Sequence, residues 1–103
     1  MRILLAEDDN YLSEAIAHAL KDSGYVVDRV LRGDDADHAL KVCTYDLLIL
    51  DLSLPGMDGL EVLQSLRGRG QVLPVLVLTA RDSLQDLVKG LDLGANDIRT
   101  PLV

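Results

Sequence analysis

The sequence predicts an α/β fold: an open, doubly wound parallel sheet with helices on both faces. Three observations predict it. Short runs rich in Leu, Val and Ile recur along the chain, and each is followed by apolar residues at helical spacing. The connections between them are short. The run Leu47, Leu48, Ile49, Leu50 is continuously apolar, as a strand buried on both faces of a parallel sheet must be.

The elements follow in order. Residues 2–6 form strand one, which ends on Glu7, Asp8 and Asp9. Asp9 or Asn10 can cap a first helix, whose buried stripe is read as Leu12, Ile16, Ala19 and Leu20, with Gly24 as its stop. Strand two spans residues 25–31, where Val26, Val27 and Val30 carry β propensity. A second helix starts at Gly33 and Asp34 and buries Ala36, Ala39, Leu40 and Cys43. Strand three covers residues 46–51 and ends on Asp51. Helix three begins at Asp58 or Gly59, buries Leu60, Leu63 and Leu66, and is broken by Gly68 and Gly70. Strand four is residues 75–78, ending at Thr79. Helix four is capped at Ser83, buries Leu84, Leu87, Val88 and Leu91, and closes at Gly94. Residues 97–100 form a weak fifth strand. Right-handed crossovers and a central first strand give the order 2-1-3-4-5. No linker or repeat interrupts the alternation, so residues 1–103 read as one domain.

Composition bounds the function. The chain is 49% hydrophobic with no Trp or Phe, so its core is aliphatic. Seventeen acidic against ten basic side chains give a net charge of −7, which disfavours direct binding to nucleic acid. The single Cys43 makes no internal disulfide, which suits a cytoplasmic setting, and no run approaches the roughly 18 apolar residues of a membrane span. Acidic residues arrive too early in MRILLAEDD for a signal peptide. His18 and His38 fall inside helices without ligand partners and read as surface residues.

The order 2-1-3-4-5 makes strands one and three neighbours, which carries Glu7, Asp8 and Asp51 to one carboxyl edge of the sheet. Such edges are where open α/β sheets place their sites. Converging carboxylates repel and persist if a cation shares them. Oxygen ligands without His or Cys favour a hard ion such as Mg2+. Beside that ion, one carboxylate can attack a phosphoryl group to give an acyl phosphate. Thr79 offers a hydroxyl at the end of the next strand, and Ala80 leaves the approach open. Each residue has a plainer role: Asp8 and Asp9 as helix caps, Thr79 as a strand-end hydroxyl, Asp58 as a turn or cap residue.

Four segments carry a resemblance: ILLAEDDNYL, DLLILDLSLPGMDGLEVL, PVLVLTAR and GLDLGAND. Together they resemble the receiver domain of bacterial two-component response regulators, in the OmpR/PhoB-like subfamily that usually carries a winged-helix DNA-binding domain behind it. The resemblance implies a CheY-like, flavodoxin-type fold. It implies Asp51 as phosphoacceptor, Asp8 as a direct Mg2+ ligand, Glu7 as a ligand through water, and the Ser53 carbonyl as a further ligand. It implies Thr79 as the switch hydroxyl and a sensor histidine kinase as the phosphoryl donor. Self-phosphorylation and self-dephosphorylation at Asp51, followed by a change of conformation or dimerisation that controls transcription, belong to the same implication. DNA would be reached only through an effector domain that this stretch does not contain.

The end of the chain departs from the pattern. In NDIRTPLV, Ile98 stands where the family has an aromatic residue, and either Pro101 takes the place of its lysine or the lysine is skipped. The only lysines are Lys21, Lys41 and Lys89, all in predicted helices. The family's fifth helix is also missing, which would expose the strand-four and strand-five side of one sheet face. A homodimer, swapped or not, is the expected remedy. These departures support an alternative, a degenerate receiver that acts as a phosphorylation-independent interaction module. An aspartate-nucleophile hydrolase is disfavoured, because Ser53 stands where that chemistry usually has a second Asp.

Overall fold

The computed structural model describes residues 1–78 and the backbone of residues 97–99. Its strands are β1 (Arg2–Ala6), β2 (Val26–Val30), β3 (Leu47–Asp51), β4 (Val75–Leu78) and β5 (Asp97–Arg99). Its helices are α1 (Asn10–Asp22), α2 (Gly33–Val42) and α3 (Gly59–Gly68). All strand pairings are parallel, in the order β2-β1-β3-β4-β5. The expected topology is therefore the observed one. Helix four, with Ser83 as its cap, and residues 100–103 lie outside the described residues.

Strand parity divides the core into two layers. Leu4 and Ala6 of β1, Leu48 and Leu50 of β3, and Val75 and Val77 of β4 face α2 and α3. There they meet Ala36, Leu40, Val62, Leu63 and Leu66. Ile3, Leu5 and Ile49 point the other way and pack on Ala17 of α1 with Val27, flanked by Ile16 and Leu20. This is why β1 and β3 read as unbroken apolar runs: alternate residues feed different layers. Each fully buried Leu or Val contributes about 1.5–3 kcal/mol.

The helix ends follow local chemistry. Asp9 caps α1, its Oδ1 accepting from the Leu12 N–H at 3.1 Å. At the other end Gly24 takes φ +91°, with Gly24 N–H donating to Lys21 O at 2.9 Å and Tyr25 N–H to Leu20 O at 3.1 Å. That paired closure needs a left-handed residue, which glycine supplies without a Cβ penalty. In α3, Gly68 is the last helical residue rather than a breaker, and the closure falls on Gly70.

Two further expectations need correction. Ala19 is exposed; the inner face of α1 is instead Ser13, Ile16, Ala17 and Leu20. Ser13 fits there because its hydroxyl accepts from Arg29 Nε at 2.9 Å. Strand two is shorter than expected, and Tyr25, Val26 and Leu31 are exposed because β2 is a sheet edge. The stripe of α2 is as expected, with Ala36 and Leu40 buried and Ala39 and Cys43 packed at its margin. His18 and His38 lie on the surface.

Candidate functional site

The acidic site is built by register. Ala6 of β1 pairs with Leu50 of β3, so the next residues, Glu7 just past β1 and Asp51 at the end of β3, lie side by side at the sheet edge. Both are buried, whereas Asp8, one residue further on, is exposed. One carboxylate oxygen from each of Glu7, Asp8 and Asp51 lies within 4.8 Å of the others. The structure thus brings together the three carboxylates expected from the sequence.

Backbone donors hold two of these groups. Asp51 Oδ1 accepts from the Ser53 N–H at 3.1 Å, and Glu7 Oε1 accepts from the Asp9 N–H at 3.0 Å. Glu7's own N–H donates to Val30 O at 3.2 Å, which ties the strand end to β2. Burial pushes the Glu7 carboxyl up to about 7; the Asp9 N–H opposes the rise, and the Asp51 and Asp8 charges add to it. Burial likewise raises Asp51 to about 6, against the pull of the Ser53 N–H and with further upward pressure from Asp8. Among the described residues no cation pairs with Glu7 or Asp51.

That uncompensated negative charge bears on metal fit. The donor set is all oxygen and partly buried, with one exposed member open to water. A hard divalent ion suits each of these properties. Ser53, exposed between buried Leu52 and Leu54, is anchored to the Asp51 carboxylate through its amide. Thr79, Ala80 and Arg81 lie outside the described residues, as do Thr100 and Pro101. A surface depression of about 460 Å³, lined by Leu40, Cys43, Tyr45, Val72 and Pro74 among others, opens at the amino ends of β3 and β4. It lies at the opposite edge of the sheet from the acidic cluster and has no part in that chemistry.

Two features escaped the sequence reading. Asp37 on α2 is buried, held by Lys41 Nζ at 2.9 Å and by Arg69 Nη1 at 3.2 Å. The Lys41 spacing of four residues was a visible signal; Arg69, beyond the end of α3, was not. The second is the contact of Gly33 with the loop after Asp51, which local spacing does not reveal.

A parallel sheet in this order, with an acidic triad at the carboxyl edge of its first and third strands, defines a CheY-like receiver class. The family model described as the response regulator receiver domain matches residues 3–100, and the chain belongs to that family. It is 55% identical over 97 residues to the transcriptional regulatory protein TctD of Salmonella typhimurium, a match that covers 94% of this chain and 43% of the relative. The chain therefore spans less than half the length of that relative. Among solved structures it resembles the BeF3-activated N-terminal receiver domain of Klebsiella pneumoniae RstA, with a TM-score of 0.91 and 33% identity. That match covers 100% of this chain and 87% of the other. It also resembles the receiver domain of the sensor histidine kinase PA1611 from Pseudomonas aeruginosa PAO1, solved with magnesium coordinated in its active-site cleft. There the TM-score is 0.89 and the identity 30%, over 99% of this chain and 85% of the other. Among the described residues no helix is long and apolar enough to cross a membrane.

Proposed function

We propose that this receiver domain accepts a phosphoryl group on Asp51 from a partner histidine kinase, with Mg2+ held by Asp8, Asp51, the Ser53 carbonyl and, through water, Glu7. The observation that carries the reading is the cluster itself, three carboxylates within 4.8 Å at the end of β1 and β3. In this reading an Asp51 carboxylate oxygen attacks phosphorus. The bond from phosphorus to the kinase imidazole nitrogen breaks, its electron pair stays on that nitrogen, and the imidazole is released. Bound Mg2+ would supply charge neutralisation for carboxylate and phosphoryl oxygens. The chain's own part is orientation. The Ser53 amide fixes one Asp51 oxygen, and the strand ends of β1 and β3 hold Glu7 beside it. Thr79 is the proposed switch hydroxyl, and the same site would support self-phosphorylation and self-dephosphorylation. The output in this reading is a change of conformation or dimerisation that controls transcription through an effector domain.

Incubation with Mg2+ and acetyl phosphate should add one phosphoryl mass to the intact protein. The gain should vanish with EDTA and in Asp51→Asn. A second reading, the phosphorylation-independent interaction module, is favoured by Ile98 in place of the family's aromatic residue and by the lack of a lysine in the residues 99–103 that follow it. Wild-type protein that gains no mass while binding its partner normally would select that reading.

Homodimerisation belongs to the same proposal. Leu47, Leu76 and Leu78 are only half-buried on the α1 side of β3 and β4, which leaves apolar surface for a second copy. Light scattering across a concentration series should show mass rising toward twice that of the monomer. A monodisperse monomer throughout would contradict the dimer.

A further inference from the structure

The loop after Asp51 is locked by α2, an element with no carboxylate in the acidic cluster. Gly33, the first residue of α2, is buried, and its N–H donates to Pro55 O at 3.0 Å. A Cβ on Gly33 would overlap the Met57 carbonyl oxygen and lie 2.6 Å from its carbon. There is no flexible side chain to yield, because both atoms are backbone. From the other side, Gly56 holds φ +75°, and a Cβ there would strike Asp34 Oδ1 and come within 2.7 Å of Arg32 Nη2. Arg32 Nε and Asp34 Oδ1 pair at 3.0 Å, so a closed ion pair sits against the bare Gly56 backbone. The far end of the loop is fixed separately, by Gly59 N–H donating to Leu52 O at 3.2 Å.

We propose that the first turn of α2 clamps the loop after Asp51, with Gly33 as the positioning residue that sets where the Ser53 carbonyl lies. The magnesium role of that carbonyl rests on the reading given under Proposed function; the clamp itself does not. Two glycines on facing backbones form an interlock, so α2 and the loop cannot move independently. Displacing the start of α2 by the width of a methyl group displaces Pro55 to Met57, and with them Ser53. Groups that orient metal ligands from outside the ligand set commonly carry 10–100-fold of metal affinity, roughly the scale expected here.

The test compares Gly33→Ala, Asp34→Ala and Ala39→Gly with the wild type. Ala39→Gly loosens α2 by about 1 kcal/mol without touching the loop. Amide hydrogen exchange at Ser53 and Gly59 is measured in the metal-free protein, and the Mg2+ dissociation constant by calorimetry. Gly33→Ala should speed exchange at Ser53 by about tenfold, a change within the range of local opening energies, and weaken Mg2+ by about tenfold. Asp34→Ala, an exposed substitution that keeps the fold, should do the same to a smaller extent, about threefold. Ala39→Gly should leave both at the wild-type level. Unchanged Ser53 exchange in Gly33→Ala overturns the clamp, as does an equal effect in Ala39→Gly. If Gly33→Ala does not fold, unchanged Ser53 exchange in Asp34→Ala overturns it. Wild-type protein that fails to bind Mg2+ overturns the metal reading alone, since Ser53 exchange still decides the clamp.

Discussion

Leu50→Ala should destabilise the domain by about 2–5 kcal/mol, enough to lower Tm by roughly 8 °C or more. Leu50 is fully buried in β3, between β1 and β4, among the side chains of α2 and α3. It also immediately precedes Asp51. Truncation removes its transfer free energy and leaves a cavity that a sheet hydrogen-bonded on both sides cannot close. The loss is a large share of the roughly 5–15 kcal/mol that small domains typically hold. Val72→Ala is the contrast: Val72 is 90% exposed, and its removal should change stability by no more than about 0.5 kcal/mol. Thermal unfolding by circular dichroism checks both. A fall of less than about 5 °C for Leu50→Ala would mean that the two-layer core is wrongly assigned.

Without metal, the domain should become less stable as pH rises from about 5 to 8, and Asp51→Asn should reverse much of that loss. Glu7 and Asp51 have folded-state values raised to about 7 and about 6, above the ordinary carboxylate range. The folded state therefore holds more protons than the unfolded state between roughly pH 4 and 7, and linkage makes stability fall as pH climbs through that window. Asp28 and Asp37 have lowered values, so their contribution is lost only on the acid side, as pH drops below the usual carboxylate range. A tenfold difference in proton affinity between the folded and unfolded states corresponds to about 1.4 kcal/mol, and the combined loss should be a few kcal/mol. Asp51→Asn removes one charge and keeps an oxygen for the Ser53 amide. Its Tm in EDTA at pH 8 should exceed wild type by roughly 5–10 °C, while the gap should shrink to about half at pH 5 and nearly close only below about pH 4. Saturating Mg2+ should stabilise wild type more than the variant, by about 2.7 kcal/mol at a hundredfold excess over Kd. Equal or lower Tm for Asp51→Asn in EDTA at pH 8 would contradict the buried repulsion.

Much of the fold was legible because each strand and cap rests on local chemistry. The continuous apolar runs of β1 and β3, the Asp9 cap and the left-handed Gly24 need only neighbours a few residues away. The site was legible for a related reason: once the strand order is set, the residues after Ala6 and Leu50 must adjoin. What escaped depends on distant partners. Val26 is exposed because β2 has no outer neighbour, whatever its β propensity. Ser13 displaces Ala19 from the inner face of α1 because Arg29, sixteen residues on, satisfies its hydroxyl. Asp37 is buried because Arg69 reaches it from beyond α3. Gly33 was visible only as a helix start, since the backbone it crowds, at Met57, lies far along the chain.

The central claim, that Asp51 takes the phosphoryl group, is tested most directly by locating the modification. Protein treated with Mg2+ and acetyl phosphate is reduced with borohydride, which converts an acyl phosphate to the corresponding alcohol, and then digested for tandem mass spectrometry. Homoserine is expected at the position of Asp51 and should be absent from samples treated in EDTA. Reduction product at Asp8 or Asp9, or none at any carboxylate, would contradict the claim.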